Sequence, residues 1–178
     1  MELFESEVNL FVEYMIKYDR LFIGDRVRDA TYLASAKQKA SLFDFWFLYN
    51  GTFYALECKR TRATSYPLSE IKSHQQDNLA RVYKQGHVAE VLLNFRAPRK
   101  WNRVFRAPIE YILRVPESLK KKSINIKDCE RDLVEVARVP IGYTPKGKIL
   151  YDKGQNVPRE YMKFSWNILN LSEKEFQL

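Results

Sequence analysis

The dipeptide Asn50-Gly51 lies between two apolar runs and dictates how they meet. Leu42-Phe43-Asp44-Phe45-Trp46-Phe47-Leu48-Tyr49 reads as a buried strand, and Thr52 to Lys59 reads as its partner. Asn-Gly suits a two-residue hairpin turn because both central positions need positive φ. Such a turn fixes the register, so residues equidistant from it face each other. Asp44 then faces Glu57, and strand alternation sets Lys59 on the same side as Glu57. Facing side chains have Cβ atoms about 4.5–5.5 Å apart, and like charges there repel. Two carboxylates so placed among Phe and Trp invite a cation between them. A bulge in the turn would slip the register and undo the pairing. Cys58 alternates to the opposite side with Leu56 and Tyr54, which marks it as packing and not as a nucleophile.

Carboxylate oxygens favour Mg²⁺ or Mn²⁺ over softer metals, and the sequence offers no competing His/Cys cluster. A cation of that kind binds phosphate oxygen and lowers the pKa of water. Lys59 is placed to orient the attacking water or to bind developing negative charge. These groups together point to phosphodiester hydrolysis. Taken singly, Asp44 reads as a strand acid paired with Lys59 and Glu57 as a solvated acid. Convergence of all three on one face of one hairpin favours a site.

Downstream, Glu57-Cys58-Lys59-Arg60-Thr61 leads into Ser65-Tyr66-Pro67-Leu68, then Ile71, His74-Gln75 and Leu79. An acidic residue, an E-x-K strand, a short polar run, S-Y-P-L and a helix bearing H-Q follow one another in order. In these residues the chain resembles RecU-type Holliday junction resolvases, members of the PD-(D/E)xK nuclease superfamily. The resemblance implies a restriction-endonuclease-like α/β core and a metal-dependent endonuclease that cuts four-way DNA junctions as a homodimer. It also implies an active-site glutamate on the first helix. Glu5 matches by position, with Glu7 as its competitor. Superfamily members bring a helix glutamine to the site, which makes Gln75 a candidate. Asp44 and Glu57 are the expected metal ligands. The departure from the family lies at 26–41, a shortened stalk-like basic segment carrying Arg26, Arg28, Lys37 and Lys39. The resemblance covers about the first two-thirds of the chain and fades beyond Asp128.

The remaining chain suits a single domain over 1–178, with 128–178 extending the core or forming a dimer surface. A hydrophobic share of 46% across 178 residues supplies one core. Thirty Lys and Arg against 22 Asp and Glu give a net charge of +8, which favours a polyanionic partner. Two cysteines form no disulfide framework and fit a reducing cytoplasm. No apolar run approaches a membrane span, and Met1-Glu2-Leu3-Phe4-Glu5 is not a signal peptide. Branched DNA is the expected partner, with no membrane and no small-molecule substrate.

Helical spacing of Phe4, Val8, Phe11, Met15 and Tyr18 predicts a first helix over roughly Leu3 to Tyr18, followed by a basic loop. Ser69 is the expected cap of a second helix that runs to about Gln85 and stops at Gly86. Its inner face holds Ile71, Gln75, Leu79 and Val82, and an amide on an apolar face needs a partner. Val88 to Phe95 reads as a third strand, parallel to the second by its helical crossover. Ile109 to Val115 reads as a fourth strand, completing a mixed sheet flanked by helices. Val134 to Val139 reads as a strand, Thr144 to Gly147 as a turn, and Pro158 to Leu171 as an aromatic segment. Candidate DNA contacts are Arg60 and Arg62 beside the site, then Arg96, Arg99, Lys100 and Arg103 in an Arg-rich loop. Trp101 in that loop is either a platform for an exposed base or a core anchor. Two rival functions remain: another nuclease of the same fold, and a non-catalytic junction-binding protein.

Overall fold

The computed structural model describes residues 3–27, 41–97, 99–118, 120–143, 149–151 and 162–172. Helix α1 (Leu3–Tyr18) opens the chain, and strand β1 (Ile23–Arg26) follows where a basic loop was expected. Strands β2 (Phe45–Tyr49) and β3 (Thr52–Thr61) form the hairpin. Asn50 has φ 48° and Gly51 φ 75°, as the two-residue turn demands. Phe45 faces Leu56 and Trp46 faces Ala55, so the turn carries no bulge and the expected register holds.

Next come β4 (Ser65–Pro67), a single 3₁₀ turn (Leu68–Glu70) and helix α2 (Ser73–Lys84). Ser69 therefore does not cap α2. It lies inside the 3₁₀ turn, and the helix starts after extended Lys72, whose N–H donates to Gln75 Oε1 at 3.2 Å. Gly86 ends the helix with φ 82°, as expected. Strand β5 (Val88–Ala97) returns parallel to β3, pairing Glu57 with Val91 and Lys59 with Leu93.

The Arg-rich stretch is not a loop. Strand β6 (Trp101–Pro108) folds back antiparallel on β5 through a tight turn. The expected strand at Ile109 to Val115 is instead helix α3 (Ile109–Ser118). Ile109, Tyr111, Ile112 and Val115 are buried while Glu110 and Leu113 face out, which is a helical repeat and not strand alternation. Beyond it lie β7 (Ser123–Asn125), α4 (Ile126–Asp132), β8 (Val134–Val136), β9 (Arg138–Tyr143), β10 (Ile149–Tyr151) and β11 (Met162–Trp166). The single strand expected at Val134 to Val139 breaks at Ala137, and its halves join different sheets. The expected turn at Thr144 to Gly147 falls outside the described residues.

The main sheet has the order β1-β2-β3-β5-β6-β8, and β10-β9-β11 form a smaller one. With β3 and β5 parallel and the other neighbours antiparallel, this is the mixed α/β sheet the sequence led us to expect. Element order follows the restriction-endonuclease-like pattern of helix, hairpin, helical crossover and parallel strand. One face packs Phe45, Phe47, Leu56, Cys58 and Leu92 against α1 and Trp166. The other packs Ala55, Val91, Leu93 and Phe105 against Leu79 of α2 and Ile112 of α3. Trp166 is 1% exposed and meets Phe4 edge-on at 6.4 Å, so the C-terminal aromatic segment closes the first core. Alternation then sends Glu57 and Lys59 to the α2 side and leaves Cys58 in the α1 core.

Candidate active site

Asp44 stands one residue before β2 and is held by its neighbours' backbone at both its main chain and its carboxylate. Its N–H donates to the Leu56 carbonyl at 3.0 Å, its carbonyl accepts from Val27 N–H at 2.8 Å, and its Oδ2 accepts from Cys58 N–H at 2.7 Å. Its carboxylate thus lies beside Glu57, as the register predicts. Glu57 is 1% exposed. Its Oε1 accepts from Lys59 Nζ at 2.7 Å and from Gln75 Nε2 at 2.5 Å. Its Oε2 is buried and has no hydrogen-bond partner among the described residues. Burial, and then the Asp44 charge, push the Glu57 carboxyl up to about 7 against the opposing pull of Lys59. The Cys58 thiol is pushed well up by burial and by the nearby carboxylates, which leaves it inert as a nucleophile.

Gln75 is placed from both ends. Its Oε1 caps the first turn of α2 through Lys72, and its Nε2 reaches across to β3. The partner that an amide on an apolar helix face requires is therefore Glu57 itself. Leu79, one turn on, is fully buried and seats the helix on the sheet.

The two glutamates of α1 part company. They are two residues apart, about 200° around a helix. Glu5 lines the same cavity as Asp44 and Glu57, its charge adds to the rise at Glu57, and it pairs with Arg26 Nη2 at 2.6 Å. Glu7 is buried on another face, where Arg96 donates to it at 2.9 Å and Trp166 Nε1 at 3.0 Å. All five expected catalytic residues, Glu5, Asp44, Glu57, Lys59 and Gln75, line one cavity of about 320 Å³. Lys72, Glu70, Ser41 and Tyr66 line it too, and sequence reasoning gave them no role there. The Ser-Tyr-Pro-Leu run was the available signal. Tyr66 and Leu68 are buried, and the pairing of β4 with β7 sets Tyr66 opposite Ile124.

Among the described residues no three His, Cys, Asp or Glu side chains stand close enough to form a complete metal cage. Asp44 and Glu57 are a two-carboxylate set with one orphaned buried oxygen. That donor set fits a hard cation which takes its remaining ligands from water and phosphate.

The expected DNA contacts divide. Arg60 lines the acid cavity and also an adjoining cleft, which Arg62, Arg96, Arg99 and Lys100 share. Arg96 is held by Glu7, and Arg103 donates to Glu130 and to both oxygens of Glu135. Arg26 is held by Glu5, while Arg28, Lys37 and Lys39 fall outside the described residues.

A mixed sheet whose core hairpin presents an acid, a second acid and a lysine to one cavity is the arrangement of the PD-(D/E)xK proteins. The family model "Recombination protein U" matches residues 19–146, and the chain belongs to the RecU family. The match runs further toward the C-terminus than the motifs suggested and begins after Glu5. Holliday junction resolvase RecU of Staphylococcus carnosus is 24% identical over 156 residues, covering 80% of this chain and 74% of that protein. The protein of the same name from Listeria innocua is 26% identical over 159 residues, covering 80% and 76%. A shorter match, 37% identical over 59 residues, links the chain to RecU of Shouchella clausii, covering 33% and 28%. Among solved structures, the Holliday junction resolvase Hjc of Archaeoglobus fulgidus aligns with a TM-score of 0.41 at 19% identity, over 71% of this chain and 93% of that one.

Proposed function

We propose that this chain is a Mg²⁺-dependent DNA endonuclease that resolves four-way junctions by paired symmetric nicks. Glu57 carries the reading. A buried carboxylate beside a second carboxylate, with one oxygen that meets no donor among the described residues, carries a cost that a proton or a bound cation relieves. In a chain of the RecU family, that cation and the lysine beside it serve phosphodiester cleavage.

Asp44 and Glu57 would hold Mg²⁺, with Mn²⁺ as a substitute. The chemistry such an ion would supply is charge neutralisation at the phosphate and a lowered pKa of water. Lys59, held beside Glu57 at 2.7 Å, would orient the attacking water or donate to the phosphate oxygen. Gln75 holds the Glu57 carboxylate in place from α2, and Glu5 approaches the same cavity from α1. Arg60 and Arg62 position the strand without reading its sequence. Two-fold junctions are best served by a two-fold enzyme, so we assign the active form as a homodimer. The whole of 1–178 acts as one nuclease domain in the cytoplasm. No helix among the described residues is long and apolar enough to cross a membrane.

The test is cleavage of a synthetic four-way junction and of its component duplex, with Mg²⁺ and with EDTA, by wild type and Asp44→Asn. Symmetric nicks confined to the junction, lost in EDTA and in the variant, are the expected result. Equal cutting of duplex would replace the resolvase with a less selective nuclease of the same chemistry. Tight binding with no cutting in either metal would leave a junction-binding protein.

A further inference from the structure

Across Arg60 from the acid cavity lies a larger cleft of about 570 Å³, against about 320 Å³ for the cavity itself. Their linings differ in charge, because the acid cavity sets Lys59, Arg60 and Lys72 among its carboxylates while the second cleft carries cations alone among its described charged residues. The acid cavity gathers Glu5, Asp44, Glu57 and Glu70, whereas no described residue lining the second cleft is acidic. Leu3 and the indole of Trp101 form its apolar wall, and Arg62, Arg99, Lys100 and Arg138 stand around it. Lys100 Nζ sits 5.8 Å from the centre of the Trp101 ring. Trp101 is half-buried against the α3 core, so the wall is anchored. Its Nε1–H has no acceptor among the described residues.

Arg99 adds an independent observation. The Lys100 N–H donates to the Ala97 carbonyl at 3.1 Å, closing the β5–β6 turn, and Arg99 sits at the third position of that turn with φ 59°. Glycine or asparagine ordinarily occupies a turn position of positive φ, because a Cβ is strained there. At Arg99 that conformation holds a long cationic side chain at the mouth of the cleft.

From these features we propose that the cleft is a specificity subsite for an unpaired nucleotide of the DNA strand that runs from the acid cavity past Arg60. The base lies against Trp101 and Leu3, and its flanking phosphates meet Arg99 and Arg62. Duplex DNA keeps its base faces stacked inward and presents only phosphates, so it gains nothing from the apolar wall. An unstacked nucleotide at a branch uses both wall and rim. The subsite rests on the nuclease reading and would select branched over continuous DNA.

The test measures equilibrium binding in EDTA, where no cleavage is required, using a short single-stranded oligothymidylate and a duplex of the same length. Arg99→Gly relieves the turn, so its thermal midpoint should equal or exceed that of wild type. Its preference for single strand over duplex should fall on the order of ten-fold. Trp101→Leu, which keeps an apolar wall, should lower the same preference. It should also abolish the fluorescence change of a junction carrying 2-aminopurine beside the branch. An unchanged preference in Arg99→Gly, or an equal loss for both ligands, would overturn the subsite even if Trp101→Leu failed to fold. Cleavage intact with the preference unchanged sinks the cleft alone. Cleavage absent with the preference lost on mutation sinks the nuclease reading alone.

Discussion

The acid cavity and the ion pairs of β6 both bring carboxylates and cations together at the main sheet, yet they are built on opposite terms. Arg106 donates to both oxygens of Glu90, at 2.7 and 2.8 Å, and to the Ile168 carbonyl at 3.1 Å. Arg103 donates to both oxygens of Glu135 and to Glu130. Each arginine has one carboxylate in bidentate geometry, and the contacts tie β5, β6, β8, α4 and the C-terminal segment together. Asp44 and Glu57 instead repel each other, and a buried Glu57 oxygen meets no donor among the described residues. Matched charge builds the frame, and the acid cavity, though Lys59 and Arg26 pair with two of its acids, keeps a carboxylate excess where a cation and a phosphate would bind on the proposed function.

Exchanging a carboxylate for an amide in each region breaks the comparison most severely. Asp44→Asn keeps an oxygen for the Cys58 N–H and removes the repulsion on Glu57. Its melting temperature in EDTA at neutral pH should be unchanged or higher. Its junction cleavage should fall on the order of 10³-fold, from several kcal/mol of lost transition-state stabilisation. Glu90→Gln reverses the pattern. It leaves the mostly buried Arg106 guanidinium without its counter-charge, costing on the order of 3 kcal/mol and several degrees of melting temperature, while cleavage per folded molecule stays intact. Melting curves beside nicking assays read both. A melting loss in Asp44→Asn as large as that in Glu90→Gln would make Asp44 part of the frame.

What could be read from the sequence follows the same division. The hairpin was legible because Asn50 and Gly51 permit one turn, and one turn permits one register. That register alone set Asp44 beside Glu57. The partner of Gln75 was legible because an amide on an apolar face must be satisfied nearby. Long-range pairing was not legible. Glu130 and Glu135 lie about thirty residues beyond Arg103, so the arginines of β6 read as a free basic loop. The choice between Glu5 and Glu7 turned on which way each face of α1 points. Strand β1 is four residues without apolar alternation. Its signal was Gly24, where an added Cβ would come within 2.5 Å of the Phe47 Cβ, a close approach that only the folded sheet reveals. Helix α3 was misread because Ile109, Ile112 and Val115 have strand-favouring side chains, and tertiary burial on one helical face outweighed that preference.

A milder probe of the acid cavity is pH. The Glu57 carboxyl is raised to about 7 from an ordinary value of 4.5, so the fold binds this proton more tightly than the unfolded chain does. Stability from this group is then fully present below pH 4.5 and is lost as pH rises through 7. In EDTA the melting temperature should decline across that window by an amount that Glu57→Gln removes. Saturating Mg²⁺ should protect the protein chiefly above pH 7, where the carboxylate is charged and the ion binds best. A pH-independent melting temperature in EDTA would mean that Lys59 and Gln75 already satisfy Glu57.

Arg103→Ala gives the smallest effect and the sharpest separation of frame from function within one hairpin. Arg103 and Arg99 lie four residues apart on the β5–β6 arm, and both read from sequence as DNA contacts. Arg103 spends its guanidinium on Glu130 and Glu135, whose side chains are 45% and 44% exposed. Solvent screening holds such a network to about 1 kcal/mol, so the variant should melt slightly earlier. Its DNA affinity and the salt dependence of that affinity should change little, because no phosphate contact is lost. Arg99→Gly should do the opposite on both counts. If Arg103→Ala instead flattened the salt dependence, Arg103 would be leaving its carboxylates to meet the phosphate backbone. Matched charge on β6 would then be a resting state released by DNA rather than a fixed part of the frame.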